Sequence, residues 1–244
     1  MIDFTVWQWV LAVLAGLLVG ISKSGIGGLG MLAVVVFAQI LPAKQATGMV
    51  LPLLCFGDIL AVLAYRQHAQ WKHLWRLFPW TAAGVLLGYF ALGRIGEREA
   101  RVLIAVIVLS LVALHLFRRR RSGHEADHGA WFPPTIGVLA GFTTLVANAA
   151  GPLMAIYLLA MRLPKMDFVG TSSVFFLLLN FFKVPFMVNL GLINSASFAI
   201  NLWLVPAVVI GTWLGRKLLA RIDQRAFENI ALALSVAAGL KLLF

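Results

Sequence analysis

Charged residues are scarce in this chain, and acidic ones are the scarcest. Of its 244 residues only nine are Asp or Glu, 20 are Lys or Arg, and 61% are hydrophobic. The mean hydropathy of +0.94 excludes a soluble domain, whose surface needs many more polar side chains. The alternating pattern of a membrane barrel is also missing, whereas long apolar runs recur throughout. We therefore expect an all-α polytopic protein that lies in the lipid bilayer.

Cysteine is almost absent as well. Cys55 is the only one, which excludes an internal disulfide and a cysteine-based metal site. The five histidines show no spacing that suits metal ligation on one helix face, and no catalytic constellation or phosphate-loop motif stands out. We predict no metal, no cofactor and no enzymatic activity.

The excess of basic residues has a membrane explanation. A net charge of +11 would suggest a nucleic-acid partner for a soluble protein. Here the Lys and Arg residues cluster between apolar runs, which is the bias of cytoplasmic loops in membrane proteins. We therefore expect no nucleic-acid partner.

The apolar runs form two matching sets. The first set lies at about 7–21, 29–41, 46–65, 74–93 and 101–117, and the second at about 135–147, 151–161, 168–189, 198–218 and 227–243. Positions match between the sets at shifts of 122 and then 127 residues: Gly48 with Gly170, Asp58 with Asn180, Pro79 with Pro206, and Gly84 with Gly211. The pattern predicts two membrane repeats, 1–117 and 133–244, joined by a basic polar cytoplasmic linker at 118–132.

The basic residues also favour one orientation of the repeats. If each pair of short segments enters and returns, the halves are inverted, and thirteen Lys and Arg lie on the cytoplasmic side against five outside. Those thirteen are Arg66, Lys72, Arg76, Arg118 to Arg121, Arg162, Lys165, Arg216, Lys217, Arg221 and Arg225. If each pair crosses once, the halves are parallel and the bias disappears. The positive-inside rule therefore favours inverted repeats with both termini outside.

Each half contains a break between two short apolar runs. The breaks read Ser22-Lys23-Ser24-Gly25-Ile26-Gly27-Gly28-Leu29-Gly30 and Ala147-Asn148-Ala149-Ala150-Gly151-Pro152. A break leaves backbone N–H and C=O groups unpaired, so it must be buried in protein or line a wet cavity. Broken helices of this kind hold the substrates of secondary transporters. We therefore expect a broken or re-entrant segment in each repeat to form part of a binding site.

Polar residues at the breaks are candidates for binding an anion. Lys23 supplies positive charge there unless its side chain reaches the membrane surface, and the glycines let a ligand approach the main chain. Asn148 suits either a small oxyanion or a helix cap. The substrate-binding residues predicted at the two breaks are Ser22, Lys23, Ser24, Gly25, Gly27, Gly28, Asn148 and Gly151.

Further polar residues lie inside the later apolar segments, where they are costly and need a reason. Asp58 is predicted either to couple transport to a proton or Na⁺, or to pair with a buried cation, Lys23 or Lys183. Thr143 and Thr144 are expected to bond back to their own helix. The remaining predicted substrate-binding residues lie on one later helix and are Thr171, Ser172, Asn180 and Lys183.

Two small-xxx-small patterns allow helices to approach closely. They are Gly84-Val85-Leu86-Leu87-Gly88 and Gly211-Thr212-Trp213-Leu214-Gly215. Such patterns pack helices within one subunit or form the face of a homo-oligomer. We favour packing within the subunit, and the homo-oligomer is the second interpretation.

Taken together, the breaks, the repeat and the size resemble the sulfite exporter TauE/SafE family of membrane transporters. The residues that carry the resemblance span nearly the whole chain: Gly20 to Gly30, Leu41-Pro42, Gly48, Asn148 to Pro152, Leu163-Pro164-Lys165, Gly170-Thr171-Ser172, Asn180 to Pro185, and Gly191-Leu192-Ile193. The resemblance implies a carrier of small sulfur-containing or organic anions, such as sulfite and sulfonates, in the bacterial cytoplasmic membrane.

The sequence thus predicts a secondary transporter, with export as the favoured direction, that moves a small anion by alternating access. Two alternatives remain open at this point. One is an integral-membrane enzyme that acts on a lipid, and the other is an anion channel in which the breaks form a pore.

Overall fold

The computed structural model describes residues 4–23, 43–92 and 129–241 continuously, with scattered residues between 33 and 41 and between 94 and 113. Most of the first break, from Ser24 to Gly30, lies outside the described residues, as does most of the predicted linker at 118–132. The second break is described in full.

Every regular element in the described ranges is helical, as predicted. The helices are α1 (Val6–Ser22), α2 (Ala43–Tyr65), α3 (Trp71–Leu92), α4 (Phe132–Ala147), α5 (Ala150–Ala160), α6 (Lys165–Asn189), α7 (Ser195–Arg221) and α8 (Gln224–Lys241), and a 3-10 turn (Arg66–His68) follows α2. Three segments in the described part of the chain are long and apolar enough to cross a membrane: Gln45–His68, Lys165–Asn189 and Ser197–Arg221. The chain is therefore an all-helical protein with candidate membrane spans.

Local sequence explains where two of the helices begin. Thr5 and Gln8 form a capping box at the start of α1, and Asn194 and Ser197 form another at the start of α7. Each pair satisfies backbone N–H groups that the first turn of a helix leaves unpaired. The two caps define where α1 and α7 begin, and these two helices pack against each other.

Two helix pairs pack very closely through glycine. On α3, Gly84 lies against the carbonyl of Val138 on α4, so that a Cβ atom would have no room. On α7, Gly211 lies in the same way against the carbonyl of Leu17 on α1. These contacts use the small-xxx-small patterns for packing within the chain, which agrees with the favoured interpretation of those patterns.

The long helices α2 and α6 run antiparallel through the centre of the structure. Near the start of α2, Gly48 contacts Leu192 just beyond the end of α6. At the other end, Gly170 near the start of α6 contacts Tyr65 and His68 at the end of α2. This alignment brings the middle of α2 opposite the second half of α6, where the buried polar residues lie.

Candidate functional site

The second break holds an asparagine in an uncommon backbone conformation. Helix α4 ends at Ala147, Asn148 has φ 51° in the left-handed region, and α5 begins at Ala150. Asparagine adopts this conformation more readily than most non-glycine residues. Asn148, for which a helix cap was one of the two open interpretations, therefore caps the end of α4. Its backbone N–H donates to the carbonyl of Thr144 at 2.9 Å.

The side chain of Asn148 joins two neighbouring helices. Its Nδ2 donates to the backbone carbonyl of Thr47 on α2 at 3.1 Å, and its Oδ1 accepts from Lys183 on α6 at 2.6 Å. A carbonyl on one side and an ammonium on the other leave one sensible orientation of the amide. The break is therefore tied to both central helices.

Lys183 is fully buried, and neutral oxygens surround its ammonium group. Besides Asn148 Oδ1, the Nζ atom lies 3.1 Å from Thr144 Oγ1, 3.3 Å from the Thr144 carbonyl and 3.2 Å from Asn180 Oδ1. An ammonium has three donors and no acceptor, so a shell of acceptors fits its charged form. None of these partners is a carboxylate. A buried charge without a charged partner is costly, which makes Lys183 the most unusual residue of the site.

Asp58 is fully buried on α2 and is paired on both oxygens. Its Oδ1 accepts from Lys23 Nζ at 2.7 Å, and its Oδ2 accepts from Asn180 Nδ2 at 2.6 Å. Lys23 directly follows α1, is itself buried, and lies 5.7 Å from the ring centroid of Phe176. The structure therefore shows Lys23 in a buried ion pair and not extended to the membrane surface. Pairing with Lys23 is one of the two alternatives that the sequence left open for Asp58.

Asn180 connects the two lysines through hydrogen bonds. Its Nδ2 donates to Asp58 while its Oδ1 accepts from Lys183. We call the connected group of buried residues the polar cluster; its members are Lys23, Asp58, Thr144, Asn148, Asn180 and Lys183. The polar cluster unites α1, α2, α4, α6 and the α4–α5 break. Such a convergence of elements on a few buried polar groups is typical of a ligand site.

Several predicted site residues lie elsewhere. Thr171 Oγ1 accepts from the backbone N–H of Gln70 at 2.9 Å, and Ser172 Oγ donates to the Val169 carbonyl at 3.0 Å. Twelve residues of helix separate Thr171 from Lys183, which is about 18 Å along the axis. The structure therefore does not bring Thr171 and Ser172 to the polar cluster.

The other predicted residues belong to the breaks themselves. Ser22 Oγ donates to the Val19 carbonyl of its own helix at 2.7 Å, and Gly151 lies in the first turn of α5. The predicted residues Ser24, Gly25, Gly27 and Gly28 lie outside the described residues.

Two residues that contact the site, Thr144 and Thr47, were not predicted to take part in it. Thr143 bonds back to the Leu139 carbonyl at 2.8 Å as expected, whereas Thr144 faces Lys183. The spacing of four residues to Asn148 was the available signal, because residues four apart share a helix face. Thr47 accepts a hydrogen bond from Asn148 through its backbone carbonyl. Such a contact cannot be predicted from the type of side chain.

A groove of about 590 Å³ lies beside α7 and is separate from the polar cluster. Its lining includes Leu60, Trp213, Arg216 and Lys217, and the Lys217 ammonium lies 3.6 Å from the centroid of the Trp213 ring. The groove combines apolar walls with exposed cations. Since its lining includes no member of the polar cluster, we do not count it as part of the site.

Comparison with known proteins defines the class and then the family. The polar cluster buried among long apolar helices is a site of the kind that membrane transporters build. Residues 12–242 match the family model described as Sulfite exporter TauE/SafE. The chain belongs to this family, which confirms the resemblance seen in the sequence. A relative from Comamonas testosteroni, the "Probable inner membrane transporter protein TsaS", is 26% identical over 185 residues, 74% of each chain. No solved structure matches the chain.

These comparisons decide between two of the sequence-based alternatives. Both the family and the named relative are transporters. The chain is therefore a membrane transporter rather than a membrane enzyme.

Proposed function

We propose that this protein is a secondary transporter that moves a small anion, such as sulfite, a sulfonate or another organic anion, across the bacterial cytoplasmic membrane. The observation that carries the proposal is the buried ammonium of Lys183, whose hydrogen-bond partners among the described residues are all neutral oxygens. The family description names sulfite export and the relative's name gives the inner membrane. Export is accordingly the proposed direction.

The anion binds, in this proposal, against Lys183 and the second break. The ammonium donates hydrogen bonds to neutral amide, hydroxyl and carbonyl oxygens. When an anionic oxygen takes the place of one of them, the new bond is stronger because donor and acceptor are then both charged. Asn148, whose amide nitrogen donates one hydrogen to Thr47, then offers the second, and the start of α5 offers the positive end of its dipole. The glycine-rich first break, Gly25 to Gly28, is proposed to supply backbone donors in the same way.

Asp58 is the proposed coupling residue. A proton on Asp58 removes the charge that neutralises Lys23 and leaves Lys23 free to attract an anion. The cluster then responds to the proton and to the substrate together, which is what coupled transport requires. A Na⁺ ion next to the carboxylate would disturb the same ion pair.

Alternating access is proposed to come from two inverted repeats. Two contacts and one sequence match support this. The repeat mates α2 and α6 pack antiparallel, and their equivalent residues Asp58 and Asn180, which are 122 residues apart in the sequence, bond to each other. The repeat matches α1 with α4 and α3 with α7. It therefore relates the close pair α1–α7 to the close pair α3–α4, and each pair joins one half to the other. Rocking of such interlocked halves would expose the polar cluster to each side in turn.

Thermal stability of the purified protein tests the binding step. Sulfite, sulfate, thiosulfate, short sulfonates and short carboxylates are each added, and a ligand of the folded form raises the melting temperature by mass action. We expect a selective shift that disappears in Lys183→Gln. The matched control is Lys217→Gln, an exposed cation on the same protein, which should keep the shift. If no anion in this panel stabilises the wild type, the proposal fails.

Flux measurements test the carrier mechanism. In proteoliposomes, a carrier that rocks between two states gives a rate that saturates with substrate and stays far below that of an open pore. A flux in the range of an ion channel would replace the carrier with the channel alternative.

A further inference from the structure

We infer that the polar cluster selects its substrate by charge: a monoanion binds while Asp58 is ionised, and a dianion binds only together with a proton on Asp58. The inference rests on the proposed function and gives it a substrate class and a proton stoichiometry. It follows from a count of the buried charges and from the hydrogen bonds that link them.

The polar cluster carries a formal charge of +1. Lys23 and Lys183 are its two cations, and Asp58 is the only buried carboxylate in the described part of the chain. The stretch from Ser24 to Leu41, part of which lies outside the described residues, contains no acidic or basic residue. One unit of positive charge is therefore left for a ligand to neutralise.

The surplus charge lies at Lys183 rather than at Lys23. The Lys23 ammonium is 2.7 Å from Asp58, whereas Lys183 reaches Asp58 only through the amide of Asn180. Unmatched charge in a low-dielectric interior is costly, so a ligand of charge −1 that contacts Lys183 neutralises the site as it binds. A ligand of charge −2 would instead leave the site with an excess negative charge.

A proton on Asp58 changes this balance by one unit. Lys23 then loses its counter-ion, the cluster carries +2, and a dianion becomes the ligand that neutralises it. Among the residues that the structure describes, three charged or titratable groups lie near Asp58. Lys23 faces it from α1, Lys183 lies behind Asn180 on α6, and the buried thiol of Cys55 is on the preceding turn of α2. From α7 the neighbouring side chain beside Gly57 is the apolar Val208.

The repeat supplies an unusual control for this rule. Asp58 and Asn180 are equivalent in the two halves and hydrogen-bond to each other. Asp58→Asn raises the formal charge of the cluster to +2, and Asn180→Asp lowers it to zero. The double variant exchanges the two side chains and restores +1 with an unchanged composition.

Calorimetric titration of the purified protein with methanesulfonate and with sulfate tests the inference. Methanesulfonate carries one negative charge and sulfate two throughout the neutral range. For the wild type we expect methanesulfonate to bind without proton uptake. We expect sulfate to bind with one proton, so that its affinity rises about tenfold for each unit by which the pH falls. Titration in buffers of different ionisation enthalpy measures the protons directly.

The variants give the decisive comparison. Asp58→Asn should bind sulfate without proton uptake and should shift the preference towards sulfate by about tenfold or more, which corresponds to about 1.4 kcal/mol. Asn180→Asp should weaken both anions, and the double variant should return to the preference of the wild type. Size-exclusion profiles and melting curves show that each variant is folded.

Other results overturn the inference and separate it from the proposed function. If both anions bind with the same proton uptake, or if the double variant behaves like Asp58→Asn, the charge rule is wrong while anion binding stands. If neither anion binds the wild type, the proposed function fails for sulfur oxyanions, and the inference fails with it.

Discussion

Two buried lysines in one cluster have different kinds of partner. Lys23 forms an ion pair with Asp58, whereas Lys183 is held by a carbonyl, a hydroxyl and two amide oxygens. Removing one member of a buried ion pair leaves an uncompensated charge, which is strongly destabilising. Removing a buried charge that has only neutral partners leaves no ion behind. The same chemical change should therefore have unequal effects at these two positions.

We predict that Lys23→Met destabilises the fold more than Lys183→Met does. The first change leaves the buried Asp58 carboxylate without its cation and should lower the free energy of unfolding by about 3–5 kcal/mol. The second leaves neutral acceptors with fewer partners and should cost about 1–3 kcal/mol. Melting temperatures of the purified variants in one detergent give the order.

A second substitution checks the cause of that order. Adding Asp58→Asn to Lys23→Met removes the stranded carboxylate and should recover most of the lost stability. Equal losses in the two single variants, or no recovery in the double variant, would show that the buried ion pair does not determine stability here.

At the scale of the elements, glycine sets the distance between packed helices. Gly84 on α3 and Gly20 on α1 each lie against a backbone carbonyl of the partner helix, Val138 on α4 and Val208 on α7. A membrane offers little hydrophobic drive between helices, so close backbone approach and good packing become more important. The two pairs thus depend on positions where even a methyl group is too large.

We predict that Gly84→Ala lowers the melting temperature, because the added methyl group must push α3 and α4 apart. Overpacking of this kind costs about 1–3 kcal/mol. Gly96→Ala is the matched control, since the nearest neighbour of its new methyl group would be the Glu99 side chain at 3.6 Å. A stable Gly84→Ala protein would mean that the α3–α4 contact is looser than the structure shows.

The elements also show what the sequence could predict. Hydropathy placed a segment at 46–65 where α2 spans Ala43–Tyr65, and it placed the second break where α4 ends. Depth in an apolar run was enough to single out Asp58 and Lys183, because buried charge needs a reason. The pattern left Lys23 and Lys183 open as the cation that pairs with Asp58, and it did not predict the hydrogen bond to Asn180. The choice of partner depends on how α1, α2 and α6 pack.

The positions of two further residues also have a physical reason. Thr171 was predicted as a binding residue on the same helix as Lys183, but about three turns of helix separate the two, and Thr171 lies near the start of α6 against Gln70. Thr144 was expected to bond to its own helix, but packing of α6 gives its hydroxyl a buried ammonium instead. Side-chain type indicates that a residue is polar, whereas only the tertiary structure decides which group satisfies it.

At the scale of the whole molecule, the orientation of the halves follows from which loops share a side of the membrane. Inverted halves place Arg221, at the end of α7, on the cytoplasmic side, and Ser195, at the start of α7, outside. Parallel halves exchange the two positions, while the basic run at Arg118 to Arg121 stays cytoplasmic in both arrangements. Labelling from one side of the membrane therefore distinguishes the arrangements.

We predict how a membrane-impermeant maleimide labels single cysteines in spheroplasts, in which only the cytoplasmic membrane separates the reagent from the cytoplasm. Cys55 is the only cysteine and is buried, so Cys55→Ser provides the background for single cysteines. Ser195→Cys should be labelled directly. Arg221→Cys should be labelled only after the membrane is permeabilised. Arg119→Cys is the cytoplasmic reference and should behave in the same way. The reverse pattern at Ser195 and Arg221 would make the halves parallel. Rocking about a pseudo-two-fold axis in the membrane plane would then be impossible, and the transport cycle would need another motion.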